Sequence, residues 1–160
     1  MSRRAPQRAA FFYTCINQGN TMASVSVSLD IAAPVESVWK LLGDFNGLPN
    51  WLEFIRSSRL TGAGRVRHLE ALDGAVIVEA LLEHSDAGTF YRYSIIEGPD
   101  PVNNYVATVS ARHNGANTTT VTWASSFEPI DVAQTSALSG NYEVLYRAGL
   151  NRLKSLVEKH

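Results

Sequence analysis

The last segment of the chain, residues 132–159, reads VAQTSALSGNYEVLYRAGLNRLKSLVEK and contains no proline. Its larger apolar residues recur at spacings of three or four: Leu138, Tyr142, Leu145, Tyr146, Leu150, Leu153 and Val157. This period predicts one long helix with a single apolar stripe. Gly140 and Gly149 lie inside the helix, and each lowers its helix propensity by up to about 1 kcal/mol relative to alanine. We therefore expect a close approach to another element, or a bend, at these glycines.

The chain before this helix is patterned as strands. Residues 24–31, SVSVSLDI, alternate strictly between apolar and polar, which is typical of a half-buried strand. Turn signals then divide residues 54–129 into six more strand-like segments, so the prediction is seven strands in an antiparallel meander. One helix can cover such a sheet only if the sheet curls around it. The predicted fold is therefore α+β, with a curved seven-stranded antiparallel sheet wrapped around a long C-terminal helix.

A short helix and an unusual loop separate the first two strands. Residues 34–43, PVESVWKLLG, place proline at the predicted first turn and glycine at the end, with apolar residues at helical spacing between them. The loop that follows, residues 43–51, reads GDFNGLPNW and carries two aromatic side chains among turn residues. We expect Phe45 to anchor this loop to the short helix. Leu48 and Trp51 are expected to lean over the open end of the curved sheet.

Length and composition indicate one globular domain with no large excess of basic or acidic residues. The chain has 160 residues, of which 45% are hydrophobic, and a formal net charge of −1. This balance argues against nucleic-acid binding, which is normally accompanied by a basic surface. No window is apolar for long enough to predict a membrane-spanning helix. The single cysteine, Cys15, cannot form an intramolecular disulfide, and it favours a reducing, cytoplasmic location.

The first 21 residues differ from the rest. They begin with Arg3, Arg4 and Arg8 and continue into a short apolar patch that Thr14 interrupts. We interpret residues 1–21 as a poorly ordered extension, arising from an early start codon, and residues 22–160 as the domain. A targeting peptide is the alternative, although the patch is short for one and lacks a clear cleavage site.

Strand alternation predicts which side chains face the helix. The inward rows are Tyr91, Tyr93 and Ile95; then Tyr105, Ala107, Val109 and Ala111; then Val121, Trp123, Ser125 and Phe127, with Tyr142 and Tyr146 added by the helix. Large aromatic residues alternate here with small ones, so the interior is either a filled core or a cavity. Inward-facing tyrosine hydroxyls favour a cavity, because buried hydroxyls need partners or water.

Few residues are candidates for catalysis. None of the four histidines has metal-ligand spacing, and no C-x-x-C pattern occurs, so neither a metal nor another cofactor is expected. His84 and His113 lie beside predicted turns and should be solvated. His68 is the one histidine that could face inward. Its strand is ambiguous, because Arg65 and Arg67 share one face while His68 lies on the other.

Glu79 lies in a nearly apolar strand, which raises the possibility of acid–base chemistry. Pairing this strand with the next across a turn at residues 85–88 directs Val78, Ala80 and Leu82 inward. Glu79 then points outward near Arg92, where a cross-strand charge pair is the simpler interpretation. A register slip of one residue would reverse this arrangement.

Several segments together resemble a known family. These are residues 31–51 (IAAPVESVWKLLGDFNGLPNW), 64–74 (GRVRHLEALDG), 91–109 (YRYSIIEGPDPVNNYVATV) and 121–129 (VTWASSFEP). They are similar to the START-like, or SRPBCC, superfamily with the birch-pollen-allergen fold, and more narrowly to its polyketide cyclase/dehydrase-type branch. The resemblance covers roughly residues 25–157. It implies a helix-grip fold with two short helices between strands 1 and 2 and a hydrophobic cavity under the long helix.

The resemblance also implies a binding site and two functions. The expected ligand-binding residues are Leu48, Trp51, Tyr91, Tyr93, Tyr105, Val109, Trp123, Phe127, Tyr142 and Tyr146, with loop 98–101 near the entrance. The leading hypothesis is a cytoplasmic monomer or homodimer that binds a small hydrophobic ligand, aromatic, polyketide-like or lipid. The alternative is a cyclase, aromatase or dehydratase in which Tyr91, Tyr93 or Tyr142 donates a proton and His68 assists. A third possibility is an interaction module whose partner covers the cavity mouth.

Overall fold

The computed structural model describes residues 22–159, and it shows the predicted helix-grip fold. The seven strands are β1 (Ala23–Ile31), β2 (Ile55–Thr61), β3 (Val66–Ala71), β4 (Val76–Ser85), β5 (Phe90–Glu97), β6 (Val102–His113) and β7 (Thr119–Pro129). The helices are α1 (Val35–Leu42) and α2 (Thr135–Glu158), with 3₁₀ turns at Leu48–Asn50 and Val132–Gln134. Of the two short helices expected after β1, the second is thus only a single 3₁₀ turn. The interpretation of residues 1–21 as a poorly ordered extension lies outside the described residues.

All seven strands form one antiparallel sheet in the order β1-β7-β6-β5-β4-β3-β2. Neighbours along the chain are neighbours in the sheet, except that β1 closes against β7, with Val27 opposite Trp123. Register shifts interrupt the β2–β3, β4–β5 and β6–β7 pairs. Each such bulge increases the local bend and twist, so together they account for a sheet curved enough to surround one helix. No helix in the described part of the chain is long and apolar enough to cross a membrane.

Helix α2 packs along the concave face of the sheet with the stripe that its sequence period predicts. Its buried residues are Leu138, Tyr142, Tyr146, Gly149, Leu150 and Leu153. A Cβ atom added at Gly149 would stand 2.9 Å from Cδ1 of Leu52 and 3.2 Å from ring atoms of Trp51 and Trp123. The same atom at Gly140 would meet nothing within 4 Å. Gly149 therefore marks a close approach between α2 and the core, and Gly140 does not.

The loop at residues 43–51 is packed into the protein. Phe45, Leu48 and Trp51 are all buried, and Trp51 is only 1% exposed. Its indole packs edge-on against that of Trp123, with 5.5 Å between ring centroids. The predicted position of Trp51 at the mouth is therefore wrong, because this side chain fills space between the sheet and α2. Leu48, from the same loop, does line the cavity described below.

The register of β4 against β5 differs from the prediction by one residue. Glu79 lies opposite Ile95 and Leu81 opposite Tyr93, whereas Leu82 is 43% exposed. The connecting loop begins one residue later than the predicted turn, since Ser85 pairs with Phe90, and this shifts the register by two residues next to the loop. A bulge between Leu81 and Glu83 reduces the shift to one residue at Glu79. Glu79 consequently faces inward, and the predicted outward position beside Arg92 is wrong.

Candidate functional site

A cavity of about 380 Å³ lies between the concave face of the sheet and helix α2. This volume is within the range of small-molecule binding sites, roughly 300–1,000 Å³. Most of its wall is apolar: Leu48, Leu52, Phe54, Ile55, Leu69, Ile77, Ile95, Ile96, Val102, Ile130 and Leu145. The alternation of large and small side chains on the inner rows therefore leaves a cavity and not a completely filled core.

Six of the ten predicted ligand-binding residues line this cavity: Leu48, Tyr93, Tyr105, Trp123, Tyr142 and Tyr146. The other four do not line it, although all are buried in the core: Trp51, Tyr91, Val109 and Phe127. The inward orientation predicted for the residues of β5, β6 and β7 in this set is confirmed, because all of them are buried. An inward-facing side chain lines the cavity, however, only where the residues opposite it leave space.

The hydroxyls of the aromatic wall bond to one another and to the sheet. Trp123 Nε1 donates to the Tyr93 hydroxyl at 3.0 Å, and the Tyr146 hydroxyl donates to Ser125 Oγ at 2.7 Å. The hydroxyls of Tyr105 and Tyr146 are also hydrogen-bonded to each other. Burial raises the pKa of Tyr93 and Tyr105 well above the usual value and that of Tyr146 to about 12. These phenols are therefore neutral at physiological pH.

Sequence reasoning missed a buried ion pair beside the cavity. Arg67 Nε donates to Glu79 Oε2 at 2.6 Å, and the exposed fractions of the two residues are only 0% and 6%. Arg67 Nη1 also donates to the carbonyl oxygen of Phe45 at 2.8 Å, and the guanidinium lies 4.2 Å from the centroid of the Phe45 ring. Glu79 lines the cavity, whereas Arg67 lies behind it. The ion pair thus places a carboxylate in an otherwise apolar wall.

The ionisation of this pair follows from its burial. Loss of solvent raises the pKa of the Glu79 carboxyl, and the adjacent Arg67 guanidinium opposes that rise. Burial by itself lowers the pKa of Arg67, but Glu79 and the hydroxyls of Tyr91 and Tyr93 more than compensate, so the net shift is upward. Arg67 is therefore permanently charged. In the sequence, the only indication of this ion pair is one glutamate, Glu79, in a nearly apolar strand.

The mouth of the cavity lies between α2 and loop 98–101, as the resemblance implied. Gly98, Pro99 and Asp100 line the cavity there. The Tyr142 hydroxyl donates to Asp100 Oδ2 at 2.8 Å, which joins the helix to the loop. Burial, followed by the hydrogen bond to Asp100, raises the pKa of Tyr142. Ile96 and Ile130, which also line the cavity, are more than half exposed and form an apolar rim.

None of the three histidines within residues 22–159 lines the cavity. His68 lies on the face of β3 opposite to Arg67, is only partly buried, and its Nε2 is 2.9 Å from Thr61 Oγ1. The possible inward position of His68 is therefore wrong, because β3 directs Arg67 and Leu69 inward instead. His84 is accessible but stacks on Tyr91 with 6.0 Å between ring centroids. Across residues 22–159, no group of three or more histidine, cysteine, aspartate and glutamate side chains could hold a metal ion.

Fold and cavity together define a helix-grip protein with an internal cavity. The sequence model of the polyketide cyclase/dehydrase and lipid transport family matches residues 22–158, so the chain belongs to that family. A comparison with curated proteins found no match.

Solved structures show the same relationship. The protein XoxI from Bacillus cereus is 38% identical, with a TM-score of 0.82 over 86% of this chain and 96% of that one. A Bacillus thuringiensis protein described as uncharacterized is 39% identical, with a TM-score of 0.80 over 84% of this chain and 98% of that one. The Zhui aromatase/cyclase from Streptomyces is 18% identical, with a TM-score of 0.75 over 86% of this chain and 94% of that one. At that identity the last comparison shows the fold alone.

Proposed function

We propose that the protein binds a small hydrophobic ligand, aromatic, polyketide-like or lipid, inside the cavity between the sheet and α2. The observation that carries this proposal is a cavity of about 380 Å³ whose wall is mainly apolar and aromatic. Cavities of this size are uncommon in cores, which normally pack without voids. Apolar ligand surface that enters it would contribute roughly 25 cal/mol per Å² removed from water. Membership of a family whose description includes lipid transport supports the same function.

Fluorescence titration with N-phenyl-1-naphthylamine, a neutral aromatic probe, tests the proposal. We expect saturable 1:1 binding and a concentration-dependent rise in melting temperature. Val102→Trp should block binding, because Val102 lines the cavity and is partly buried. Val144→Trp is the matched control, because Val144 is exposed on α2 and does not line the cavity. Equal binding by both variants, or no saturable binding by the natural protein, would refute the proposal.

The second candidate is a cyclase, aromatase or dehydratase. It is favoured by Glu79, a carboxyl in a mainly apolar cavity whose pKa is raised by burial, the direction that favours its use as a general acid or base. In this candidate, Glu79 transfers a proton to or from the substrate, while the aromatic wall holds the substrate in a folded conformation. Tyr93 serves as a hydrogen-bond donor, since its raised pKa makes it a weak acid, whereas the Tyr142 hydroxyl already donates to Asp100. Tyr91 and His68 have no role here, because neither lines the cavity.

Turnover of a poly-β-ketone mimic separates the two candidates. If the protein is an enzyme, Glu79→Gln should abolish product formation, whereas Tyr93→Phe should reduce it only partly. The folded state of each variant is checked by circular dichroism. A protein that binds the mimic and releases it unchanged is a binding protein and not an enzyme of this class.

We also propose a cytoplasmic location and a monomeric or homodimeric state. The single cysteine, Cys15, supports the reducing compartment. Sedimentation velocity over a hundredfold range of protein concentration distinguishes a monomer from a dimer. A higher oligomer would contradict this part of the proposal.

A further inference from the structure

The charged groups on the cavity wall all have one sign. Three carboxylates line the cavity, those of Glu79, Glu97 and Asp100. Among the described residues, no lysine, arginine or histidine lines it. Arg67 is the nearest partner of Glu79, but it approaches from behind the wall and is fully buried. A ligand in this cavity therefore meets acceptors and negative charge, with no basic side chain in contact.

Glu79 has one oxygen atom left for a ligand. Arg67 Nε occupies Oε2, and no described residue donates a hydrogen bond to Oε1. Glu79 is 6% exposed and lines the cavity, so Oε1 has little access to bulk water. An acceptor that faces an apolar cavity without a donor is poorly stabilised, and a hydrogen bond to a charged group is stronger than one between neutral groups. The wall thus lacks a donor at this one position.

Three of the four tyrosine hydroxyls on the cavity wall offer little to an anionic ligand; the fourth, Tyr93, accepts from Trp123 and is the one phenol whose hydrogen is not used by a described residue. Each hydroxyl has one hydrogen, and Tyr146 uses its own on Ser125 Oγ. Tyr105 must then be the donor in its hydrogen bond with Tyr146. Tyr142 donates to Asp100. These three hydroxyl hydrogens are already used within the protein, so they cannot also stabilise a ligand carboxylate.

We infer that the cavity selects ligands whose polar end donates a hydrogen bond and carries no negative charge, an alcohol, a phenol or a protonated amine, and that this end binds Oε1 of Glu79. The inference rests on the proposed function and specifies its ligand class. A carboxylate in the same position would be repelled by the buried Glu79 carboxylate, where solvent screens little. Glu97 and Asp100, which are exposed at the mouth, would add a weaker repulsion that solvent screens.

Three ligands with the same ring and different head groups test the inference: 2-(2-naphthyl)ethanol, 2-(2-naphthyl)ethylamine and 2-naphthylacetate. Affinities are measured by isothermal titration calorimetry at pH 7.5 with the natural protein. The alcohol and the amine should each bind at least about tenfold more tightly than the acetate, and their ratio shows which donor is preferred. Acetate binding as tight as the others would overturn the inference but leave the proposed function intact. If none of the three binds, the proposed function fails and the inference fails with it.

A double variant locates the effect at Glu79. Arg67→Met with Glu79→Leu replaces the ion pair by apolar side chains of similar size, a change that buried pairs often tolerate. In this variant the alcohol and the amine should lose their tenfold advantage over 2-naphthylacetate. Arg56→Met with Glu70→Leu is the matched control, because that Arg–Glu pair lies on the surface at 3.2 Å and lines no cavity. Retention of the advantage in a folded Arg67→Met/Glu79→Leu protein would overturn the assignment to Glu79.

Discussion

A Cβ atom at Gly149 would stand 3.2 Å from Cζ3 of Trp123. Trp123 in turn stacks on Tyr146, which lies about one turn before Gly149 in α2, with 4.3 Å between ring centroids. The glycine allows the helix backbone to approach the tryptophan, and the tyrosine beside it contributes to the cavity wall. The position of the helix over the sheet, and so the height of the cavity, depends on this contact.

The two glycines of α2 should respond in opposite ways to alanine. Gly140→Ala should raise the free energy of unfolding by up to about 1 kcal/mol, because alanine favours the helix and nothing lies within 4 Å of the new methyl group. Gly149→Ala should lower it by about 1–3 kcal/mol, because the methyl group would press on two indole rings. Urea unfolding at equilibrium measures both values. Stabilisation by Gly149→Ala would contradict the close approach.

Replacement of Trp51 should affect stability more than binding. Trp51→Ala is expected to cost about 3–5 kcal/mol of unfolding free energy, because the side chain is buried against Trp123 and leaves a void. The affinity of the folded protein for N-phenyl-1-naphthylamine should stay close to that of the natural protein, since Trp51 does not line the cavity. Trp51→Phe retains a ring and should cost less. Loss of binding without loss of stability would indicate that Trp51 lies at the cavity mouth and not in the core.

The buried and the exposed Arg–Glu pairs should differ in energy. Glu79→Ala leaves the Arg67 charge buried without its partner and should cost about 3–5 kcal/mol. Glu70→Ala removes the partner of Arg56, where both side chains are about half exposed, and should cost less than about 1 kcal/mol. Denaturant unfolding of the two variants makes the comparison. Equal costs would show that the Arg67–Glu79 pair is solvated in solution.

Stability should fall in alkaline solution because of the buried tyrosines. The pKa of Tyr146 is raised to about 12, and those of Tyr93 and Tyr105 are raised well above 10. Between pH 10 and pH 12 the unfolded chain therefore binds fewer protons than the folded protein, so the free energy of unfolding decreases as pH rises. The decrease should be roughly 1 kcal/mol per pH unit for each such tyrosine. The stabilisation is fully present below pH 10.

Absorbance at 295 nm, recorded with unfolding curves, checks this prediction. The five described tyrosines are all buried, and their phenolate signal should appear only when the protein unfolds. Tyr146→Phe should make the alkaline decrease less steep. Gradual ionisation of the wall tyrosines near pH 10 in the folded protein would contradict their burial.

Much of the architecture could be predicted because it follows from local periodicity. The inward rows of β5, β6 and β7 and the stripe of α2 were each visible within one segment, and they contain Tyr93, Tyr105, Trp123, Tyr142 and Tyr146 of the cavity wall. Predictions that needed the relation between two segments were less successful. Glu79 was placed outside because a hairpin loop and a bulge changed the register by one residue.

The sequence by itself determined the α+β class, the helix that fills the curved sheet and the aromatic character of the interior, because side-chain alternation and helical period are local properties. Only the tertiary structure decided that Arg67 and Glu79 meet inside the protein, that Trp51 fills the core, and that a cavity of about 380 Å³ stays open. Register across a sheet reverses every side chain when it slips by one residue. Whether opposing side chains fill the space between them depends on distances that no single segment contains.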